Sequence, residues 1–330
     1  MPTYFDLPLP QLREHVCAEP EPADLDRFWS ETLAESRGRE IAATFTPASS
    51  PLTVVSTFDV TFAGFGGHPI RGWLHLPRHA AAPLPCVVEY IGYGGGRGRS
   101  HEHVFWAAAG FAHFVMDTRG QGAGWSVGDT PDPNTGSPAQ PGVMTRGILD
   151  PDDYYYRRLY VDAVRAVDAA RRHPAVDAGR IAVAGISQGG GLSIAVASLR
   201  DDVAAAVPEV PFLADIRRAA WLVDTSPYRE IARYLSVYRE HVDAVFRTLD
   251  LIDVALLASR AKAPALFAVG LLDDICPPST VYAAYNAYGG PKQIIEYHYN
   301  DHGGGGELHQ VAKVEWLRDV LAELPDYPPD

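Results

Sequence analysis

The chain has 330 residues, of which 47% are hydrophobic and 21% are charged. This balance is typical of a folded globular protein and excludes a disordered or fibrous chain. Its 28 basic and 41 acidic residues give a formal net charge of −13, which disfavours nucleic acids and anionic membrane surfaces as partners.

The cysteines and the hydropathy pattern indicate the cellular compartment in which the protein is expected. Cys17, Cys86 and Cys276 are widely spaced, so we expect neither a disulfide framework nor a structural metal site. The opening MPTYFDLPLPQLREH lacks the basic stretch and apolar core of a signal peptide. The sequence also lacks a run of about 18 apolar residues, the length that a membrane span needs. We therefore expect a cytoplasmic protein without membrane contact.

Short apolar segments alternate with helical patterns along most of the chain. Residues 1–40 are expected to form an N-terminal arm with one helix at 24–36, and residues 41–330 a single domain. Alternating segments predict an antiparallel pair of strands at a sheet edge, at 52–64 and 69–77. Apolar runs typical of buried parallel strands follow at 85–93, 110–118, 180–187, 204–211, 263–273 and 293–300.

Helices are predicted at 153–173, 188–199, 279–288 and 307–321. This alternation predicts an α/β fold with a mostly parallel, doubly wound sheet.

Two segments interrupt the alternation. Residues 123–150 form a long loop rich in proline and glycine, and a loop of that length is usually functional or part of an interface. Residues 212–258 have a helical pattern between two predicted strands. Such an insertion would project over the carboxyl ends of the strands, where open α/β sheets bind ligands. Extra helical packing without any ligand contact is an equally open interpretation.

The segment GISQG, residues 185–189, has the pattern of a nucleophile at a strand-to-helix turn. The serine of such a turn adopts a strained backbone conformation, and the flanking glycines let strand and helix approach without clashes. The alternative is a small residue in a tightly packed glycine-rich loop. The apolar strand pattern before Ser187 and the helical pattern after it favour a nucleophile.

A nucleophilic serine needs a base and a carboxylate that orients the base, and in this kind of fold both follow the serine along the chain. Asp273 is the first acid of the apolar run at 263–273 and lies at its end, with Asp274 as the second candidate. One of them is expected to cap the next helix. For the base, His298 lies within a strand pattern and His309 within the last helix. His302 lies in the loop between them, so we favour His302.

The oxyanion formed by nucleophilic attack needs backbone N–H donors. One candidate is the N–H of Gln188, directly after the nucleophile, and the other is the N–H of Tyr93 in the segment YIGYGGGRG. The alternative for the glycines at 94–96 is only a tight turn. This segment lacks the ending of a phosphate-binding loop and the spacing of a dinucleotide fingerprint.

The segment DTRGQG, residues 117–122, follows a predicted strand. Arg119 and Gln121 at this strand end are candidates for contact with a substrate. We favour a structural role, in which Arg119 and Gln121 hold the loops around the site by hydrogen bonds and ion pairs.

Taken together, YIGYGGGRG, FVMDTRGQG, GISQGGG and GLLDDICPPST resemble carbohydrate esterase family seven, the acetyl xylan esterase and cephalosporin C deacetylase group. The similarity extends over nearly the whole chain, including the opening FDLPLPQL. The resemblance implies an α/β-hydrolase fold with Ser187, Asp273 and His302 as the catalytic triad and the Tyr93 and Gln188 amides as the oxyanion hole. The family's HE motif has a glutamate after the histidine, where this chain has Gly303.

The resemblance also implies an activity and an assembly. Members of the family remove acetyl groups from acetylated xylo-oligosaccharides, cephalosporin C and simple acetate esters, without a metal or an organic cofactor. Their common assembly is a hexamer, in which residues 123–150 are a candidate interface element. We therefore expect a homo-oligomeric serine esterase that acts on small acetylated substrates through an acetyl-enzyme. The alternatives are another α/β-hydrolase activity, such as a longer-acyl esterase or a peptidase, and a binding protein without catalysis.

Overall fold

The computed structural model describes residues 5–79, 83–133 and 142–322. Residues 134–141 of the predicted interface loop therefore lie outside the described residues, as do residues 80–82 and the two ends at 1–4 and 323–330.

A single nine-stranded sheet passes through the described part of the chain. Its strands are β1 (Thr44–Ala48), β2 (Val55–Ala63), β3 (Pro69–Pro77), β4 (Leu84–Tyr90), β5 (Ala112–Met116), β6 (Val176–Ile186), β7 (Ala205–Glu209), β8 (Ala265–Gly270) and β9 (Lys292–Tyr297). They lie in the order β1-β2-β3-β5-β4-β6-β7-β8-β9. Pairing is antiparallel from β1 to β5 and parallel from β5 to β9. The predicted mostly parallel α/β sheet is confirmed.

Helices cover both faces of this sheet. The α-helices of the described residues are α1 (Leu9–Leu12), α2 (Leu25–Arg37), α3 (Phe105–Ala108), α4 (Tyr155–Ala170), α5 (Gln188–Leu199), α6 (Ile216–Leu222), α7 (Tyr228–Val237), α8 (Val242–Asp250), α9 (Val254–Leu257), α10 (Pro278–Ala287) and α11 (Gly306–Ala322). Val88 and Tyr90 of β4 pack in one core with α4 and α5, whereas Val87 packs on the other face with residues of α3 and α11. Apolar residues on both faces of β4 explain its continuous apolar run.

The sequence missed one strand and two short helices. We expected β2 and β3 to form the edge of the sheet, but β1 pairs with β2 and forms the edge instead. β1 reads TFTPA, and its half-exposed side chains give no alternation of buried and exposed positions. Its Pro47 fits an edge strand, where a missing N–H is tolerated. The one-turn helices α1 and α3 are too short to show a period, and β9 ends at Tyr297, before His298.

Residues 212–258, which the structure describes in full, form α6 to α9 after β7. The N-terminal segment binds to these helices and to the main body. Trp29 of α2 donates its indole N–H to the carbonyl of Leu251 at 2.8 Å and stacks on Tyr160. Asp6 accepts hydrogen bonds from the Ser279 amide at 2.7 Å and from the Arg218 guanidinium at 2.9 Å. Within the residues described, no helix is both long and apolar enough to cross a membrane.

Candidate active site

Ser187 occupies the one-residue turn between β6 and α5. Its backbone has φ 57° and ψ −117°, a conformation that costs a residue with a side chain about 1–3 kcal/mol. Three backbone hydrogen bonds hold this turn. The Ser187 N–H donates to the Glu209 carbonyl at 2.9 Å, and the Ser187 carbonyl accepts from the amides of Phe212 at 2.9 Å and Gly191 at 3.0 Å. The end of β7, the loop after it and the first turn of α5 therefore hold the strained conformation.

The two glycines of the GISQG segment are required by the close approach of strand and helix. A Cβ atom at Gly185 would lie 2.5 Å from the backbone carbon of Gly189. A Cβ atom at Gly189 would lie 2.0 Å from the carbonyl oxygen of Tyr90, in the neighbouring strand. Both distances are shorter than any tolerable contact, so this turn accepts only glycine at either position.

Asp273 and His302 form a direct pair. The Asp273 side chain is fully buried, and its Oδ2 atom lies 2.8 Å from Nδ1 of His302. Its other oxygen accepts the backbone amides of Ile275 at 2.8 Å and Cys276 at 2.9 Å. Backbone amides therefore hold the Asp273 carboxylate in place independently of its contact with the imidazole. Asp274 has an exposed side chain, so of the two aspartates only Asp273 is buried against the histidine.

The other two candidate histidines lie elsewhere. His309 is fully buried in α11, where its Nδ1 atom lies 3.1 Å from the Tyr297 hydroxyl. Burial lowers the pKa of His309 to about 4, so this imidazole is neutral near pH 7. His298 is half-exposed and lies 3.8 Å from Glu296. Of the three histidines, His302 is the one that contacts Asp273.

The loop that carries His302 is fastened to the end of β8. The Leu272 amide donates to the Asn300 carbonyl at 3.0 Å. Asp301 then closes the loop by accepting the Gly303 amide at its side chain, at 3.1 Å, and the Gly304 amide at its carbonyl, at 3.0 Å. A Cβ atom at Gly303 would meet only the Asp301 side chain, at 3.4 Å. The loop is thus closed by the residue before His302 and has room for a side chain at position 303.

A buried thiol connects the serine to the aspartate. The Cys276 side chain is fully buried, and the Ser187 hydroxyl lies close enough to influence its pKa. Burial and the Asp273 carboxylate raise the pKa of the Cys276 thiol, although the Ser187 hydroxyl opposes the shift. The thiol therefore stays protonated and neutral. Because Asp273 also accepts the Cys276 amide, Ser187, Cys276 and Asp273 are held in one cluster.

Two glutamine side chains connect the loop after β4 to the serine turn. Gln121 accepts the Gly94 amide at 2.6 Å and donates to the Gln188 side chain at 2.9 Å. Gln188 in turn donates to the Ile91 carbonyl at 3.0 Å. Among the described residues, the backbone N–H groups of Tyr93 and Gln188 have no hydrogen-bond acceptor. The glutamine pair thus holds together the two segments that carry these unused donors.

The side chain of Tyr93 makes contacts that the sequence did not indicate. Its hydroxyl donates to Glu230 of α7 at 2.8 Å and accepts the amides of Gly142 and Val143, each at 2.9 Å. The second oxygen of Glu230 accepts the Met144 amide at 3.1 Å. Burial raises the pKa of Glu230 and of Tyr93. This contact ties the loop after β4 to the helices of 212–258, and no local motif marks position 230.

Arg119 lies beneath the site rather than in it. Its guanidinium is fully buried and binds both oxygens of Asp162, at 2.5 Å and 2.7 Å. Its carbonyl accepts the Tyr155 hydroxyl at 2.6 Å, and Tyr155 also accepts a hydrogen bond from Gln121 at 2.9 Å. The arginine and the glutamine therefore hold strand ends and helix α4 together.

The doubly wound sheet and the serine turn after its interior strand β6 define the chain as an α/β-hydrolase. Comparison with known proteins makes this class more specific. A model of the acetyl xylan esterase family (AXE1) matches residues 1–320. Acetyl esterase Axe7A of Xylanibacter ruminicola is 28% identical over 303 residues, which are 90% of this chain and 67% of that protein.

Solved structures agree with this match. The acetyl xylan esterase from Paenibacillus sp. R4 superposes with a TM-score of 0.87 and 39% identity, over 95% of this chain and 99% of that chain. Acetyl xylan esterase 1 from Thermoanaerobacterium sp. JW/SL YS485 superposes with a TM-score of 0.85 and 33% identity, over 96% and 99% of the two chains. The chain therefore belongs to the acetyl xylan esterase family, a family of carboxylic ester hydrolases.

Proposed function

We propose that this chain is a serine esterase that removes O-acetyl groups from small substrates through an acetyl-enzyme. The observation that carries the proposal is the 2.8 Å contact between His302 and the fully buried Asp273, beside a serine held in a strained turn. The substrates that we propose are acetylated xylo-oligosaccharides, cephalosporin C and simple acetate esters. Family membership supports this choice, since the Paenibacillus and Thermoanaerobacterium relatives are named acetyl xylan esterases.

In the first half of the reaction, the Ser187 oxygen attacks the ester carbonyl carbon. Nε2 of His302 takes the serine proton, while Nδ1–H donates to Asp273, which fixes the tautomer and stabilises the imidazolium. The negative charge on the carbonyl oxygen is stabilised by the N–H groups of Tyr93 and Gln188. Collapse of this intermediate breaks the bond to the alcohol, which leaves with the proton from His302.

In the second half, water attacks the acetyl group on Ser187. His302 accepts the proton of the water, the same two amides stabilise the second oxyanion, and the proton returns to Ser187 as acetate leaves. Each proton thus passes through one imidazole, and the cycle needs neither a metal nor an organic cofactor.

The surroundings of Ser187 support a short acyl group. Phe212 donates its amide to the Ser187 carbonyl, and its ring centroid lies 6.1 Å from that of Tyr93 and 4.4 Å from that of Tyr228. The aromatic cluster thus begins at a residue bonded to the Ser187 backbone, and we propose that it limits the acyl pocket to a short chain.

Hydrolysis of p-nitrophenyl acetate, butyrate and octanoate tests the proposal. We expect the acetate ester to be cleaved fastest and Ser187→Ala to abolish the activity. Ser198→Ala is the matched control, because Ser198 lies in α5, the helix that follows Ser187, and among the described residues its hydroxyl bonds only to the Ile194 carbonyl, at 2.8 Å. Full activity of Ser187→Ala, or equal rates on the three esters, would contradict the proposal.

We further propose that the chain assembles into a homohexamer, in which residues 123–150 are a candidate element of the contact between subunits. The family resemblance supports this assembly. Light scattering on the purified protein should give six times the mass of one chain, and the mass of a monomer at micromolar concentration would contradict it.

A further inference from the structure

Trp125 lies in a glycine-bracketed turn, residues 122–128, that the esterase chemistry does not use. It is a large aromatic residue with 60% of its surface exposed. Single exposed apolar side chains are common on folded proteins, so exposure alone does not mark Trp125 as a binding residue. Its position relative to the proposed oxyanion donors gives it a function.

The indole is fixed to Tyr93 directly. Its N–H donates to the Tyr93 carbonyl at 2.9 Å, so one residue carries both this acceptor and a proposed oxyanion donor. The N–H and C=O groups of a single residue lie only a few Å apart because the backbone geometry is fixed. The indole nitrogen therefore lies within a few Å of the proposed oxyanion donor of Tyr93.

Two glycines beneath the indole bring it against this loop. A Cβ atom at Gly95 would lie 2.4 Å from the six-membered ring of Trp125, and one at Gly92 would lie 3.5 Å from it. The same Cβ atom at Gly92 would lie 3.7 Å from the carbonyl of Ile186, the residue before Ser187. The indole and the serine turn thus flank the same glycine.

Hydrogen bonds to the loop after β4 hold the turn that carries Trp125. The Gly124 amide donates to the Gly94 carbonyl at 2.9 Å, and the Gly98 amide donates to the Val127 carbonyl at 2.9 Å. Ser126 accepts the Gly96 amide at 3.2 Å and returns a side-chain hydrogen bond to the Gly96 carbonyl at 3.1 Å. The exposed indole is therefore set in place before any ligand arrives, which lowers the entropic cost of binding.

We propose that the exposed face of Trp125 is the platform on which the sugar ring of the substrate stacks while its ester lies in the oxyanion hole. A xylopyranose ring has hydroxyls around its rim and C–H bonds on its faces, and the electron-rich face of an aromatic ring attracts such C–H bonds. A simple alkyl acetate has no ring to stack. Trp125 therefore selects acetylated sugars over small acetate esters, an inference that rests on the proposed function.

The test compares two substrates in the full-length protein. Trp125→Ala should lower kcat/KM for acetylated xylotriose by about tenfold or more, which is the effect expected when one apolar contact is lost. The kcat/KM for ethyl acetate should change by no more than about twofold. Trp125→Phe should keep most of the activity on the sugar, because a flat ring remains. Trp125→Leu, which fills space without an aromatic face, should behave as Trp125→Ala does.

Trp221→Ala is the matched control, since Trp221 is 86% exposed and lies on α6. It should change neither rate. Calorimetry measures the binding of xylotriose without turnover. The double variant Ser187→Ala/Trp125→Ala should bind xylotriose at least several-fold more weakly than Ser187→Ala does.

The outcomes that overturn the platform differ from those that overturn the esterase. Equal losses on both substrates would mean that Trp125 only positions the Tyr93 loop, and no loss on either would mean that it binds nothing. Loss of the sugar rate together with a lower mass in light scattering would assign Trp125 to subunit contact. Full activity of Ser187→Ala would instead reject the proposed function itself.

Discussion

The side-chain amide of Gln121 donates to that of Gln188 at 2.9 Å, between two segments that lie far apart in the sequence. Gln121 also accepts the Gly94 amide, and Gln188 donates to the Ile91 carbonyl. The pair therefore sets the distance between the two backbone N–H groups proposed to stabilise the oxyanion. Such donors act through their fixed positions, so small displacements lower the rate without preventing substrate binding.

Gln121→Leu removes this connection and leaves the buried Gly94 amide without its acceptor, whereas Gln188 keeps its hydrogen bonds to Tyr156 and Ile91. We expect kcat on p-nitrophenyl acetate to fall by about 10- to 100-fold with little change in KM, as for a displaced oxyanion donor. Gln293→Leu, at an exposed position on β9, is the control and should leave both constants unchanged. A raised KM with normal kcat would contradict a role in positioning.

The neighbouring carboxylates Asp273 and Asp274 provide a matched pair. Asp273→Asn should lower kcat by about 10³- to 10⁴-fold, because an amide opposite Nδ1 no longer favours the tautomer that accepts the serine proton. Asp274→Asn changes an exposed side chain and should keep kcat within about twofold of the unsubstituted protein. Loss of the carboxylate that orients His302 would have a far larger effect. Steady-state kinetics on p-nitrophenyl acetate distinguish the two. A larger loss in Asp274→Asn would reverse the assignment of the acid.

The buried ion pair of Arg119 and Asp162 is expected to support the fold rather than the chemistry. Arg119→Met leaves the Asp162 carboxylate buried without its cation, so the free energy of unfolding should fall by about 3–5 kcal/mol. Arg119→Met/Asp162→Leu removes both charges and should recover part of the loss. Urea unfolding measures both variants. Full stability of the single variant would contradict the burial of the pair.

The two glycines after His302 should respond differently to alanine, because one position has room for a side chain and the other has a backbone conformation that alanine disfavours. Gly303 has room for a Cβ atom, whereas Gly304 has φ 54°, a conformation that disfavours alanine. Gly303→Ala should keep activity and raise the free energy of unfolding by up to about 1 kcal/mol, because the unfolded chain becomes less flexible. Gly304→Ala should lower it by about 1 kcal/mol. Equal effects in thermal unfolding would contradict the loop geometry.

The sequence predicted the central sheet well because buried parallel strands leave a strong signal. The predicted runs overlap β2 to β9, and the helix predicted at 188–199 coincides with α5. The strand β1 left no comparable signal, since its stability comes from pairing with β2 along one edge and not from burial of its own side chains.

In the proposed site, too, some features could be predicted from local sequence patterns and others could not. Ser187, Asp273 and His302 could be chosen from the sequence because each follows a strand in a fixed chain order. The contacts of Tyr93 with Glu230, and of Ser187 with Cys276, join positions that are distant in the sequence. Only the packing of α7 and of the loop after β8 brings them together, and no local pattern encodes that packing.

The most direct test of the proposed mechanism is to trap the acyl-enzyme. The protein is mixed with p-nitrophenyl acetate, quenched with acid within the first turnover, and digested for mass spectrometry. His302→Ala is included because loss of the base should prevent formation of the adduct. The proposed mechanism predicts one acetyl group per chain, located on Ser187 and absent from Ser187→Ala. An acetyl group on another residue, or turnover without any acetylated Ser187, would contradict it.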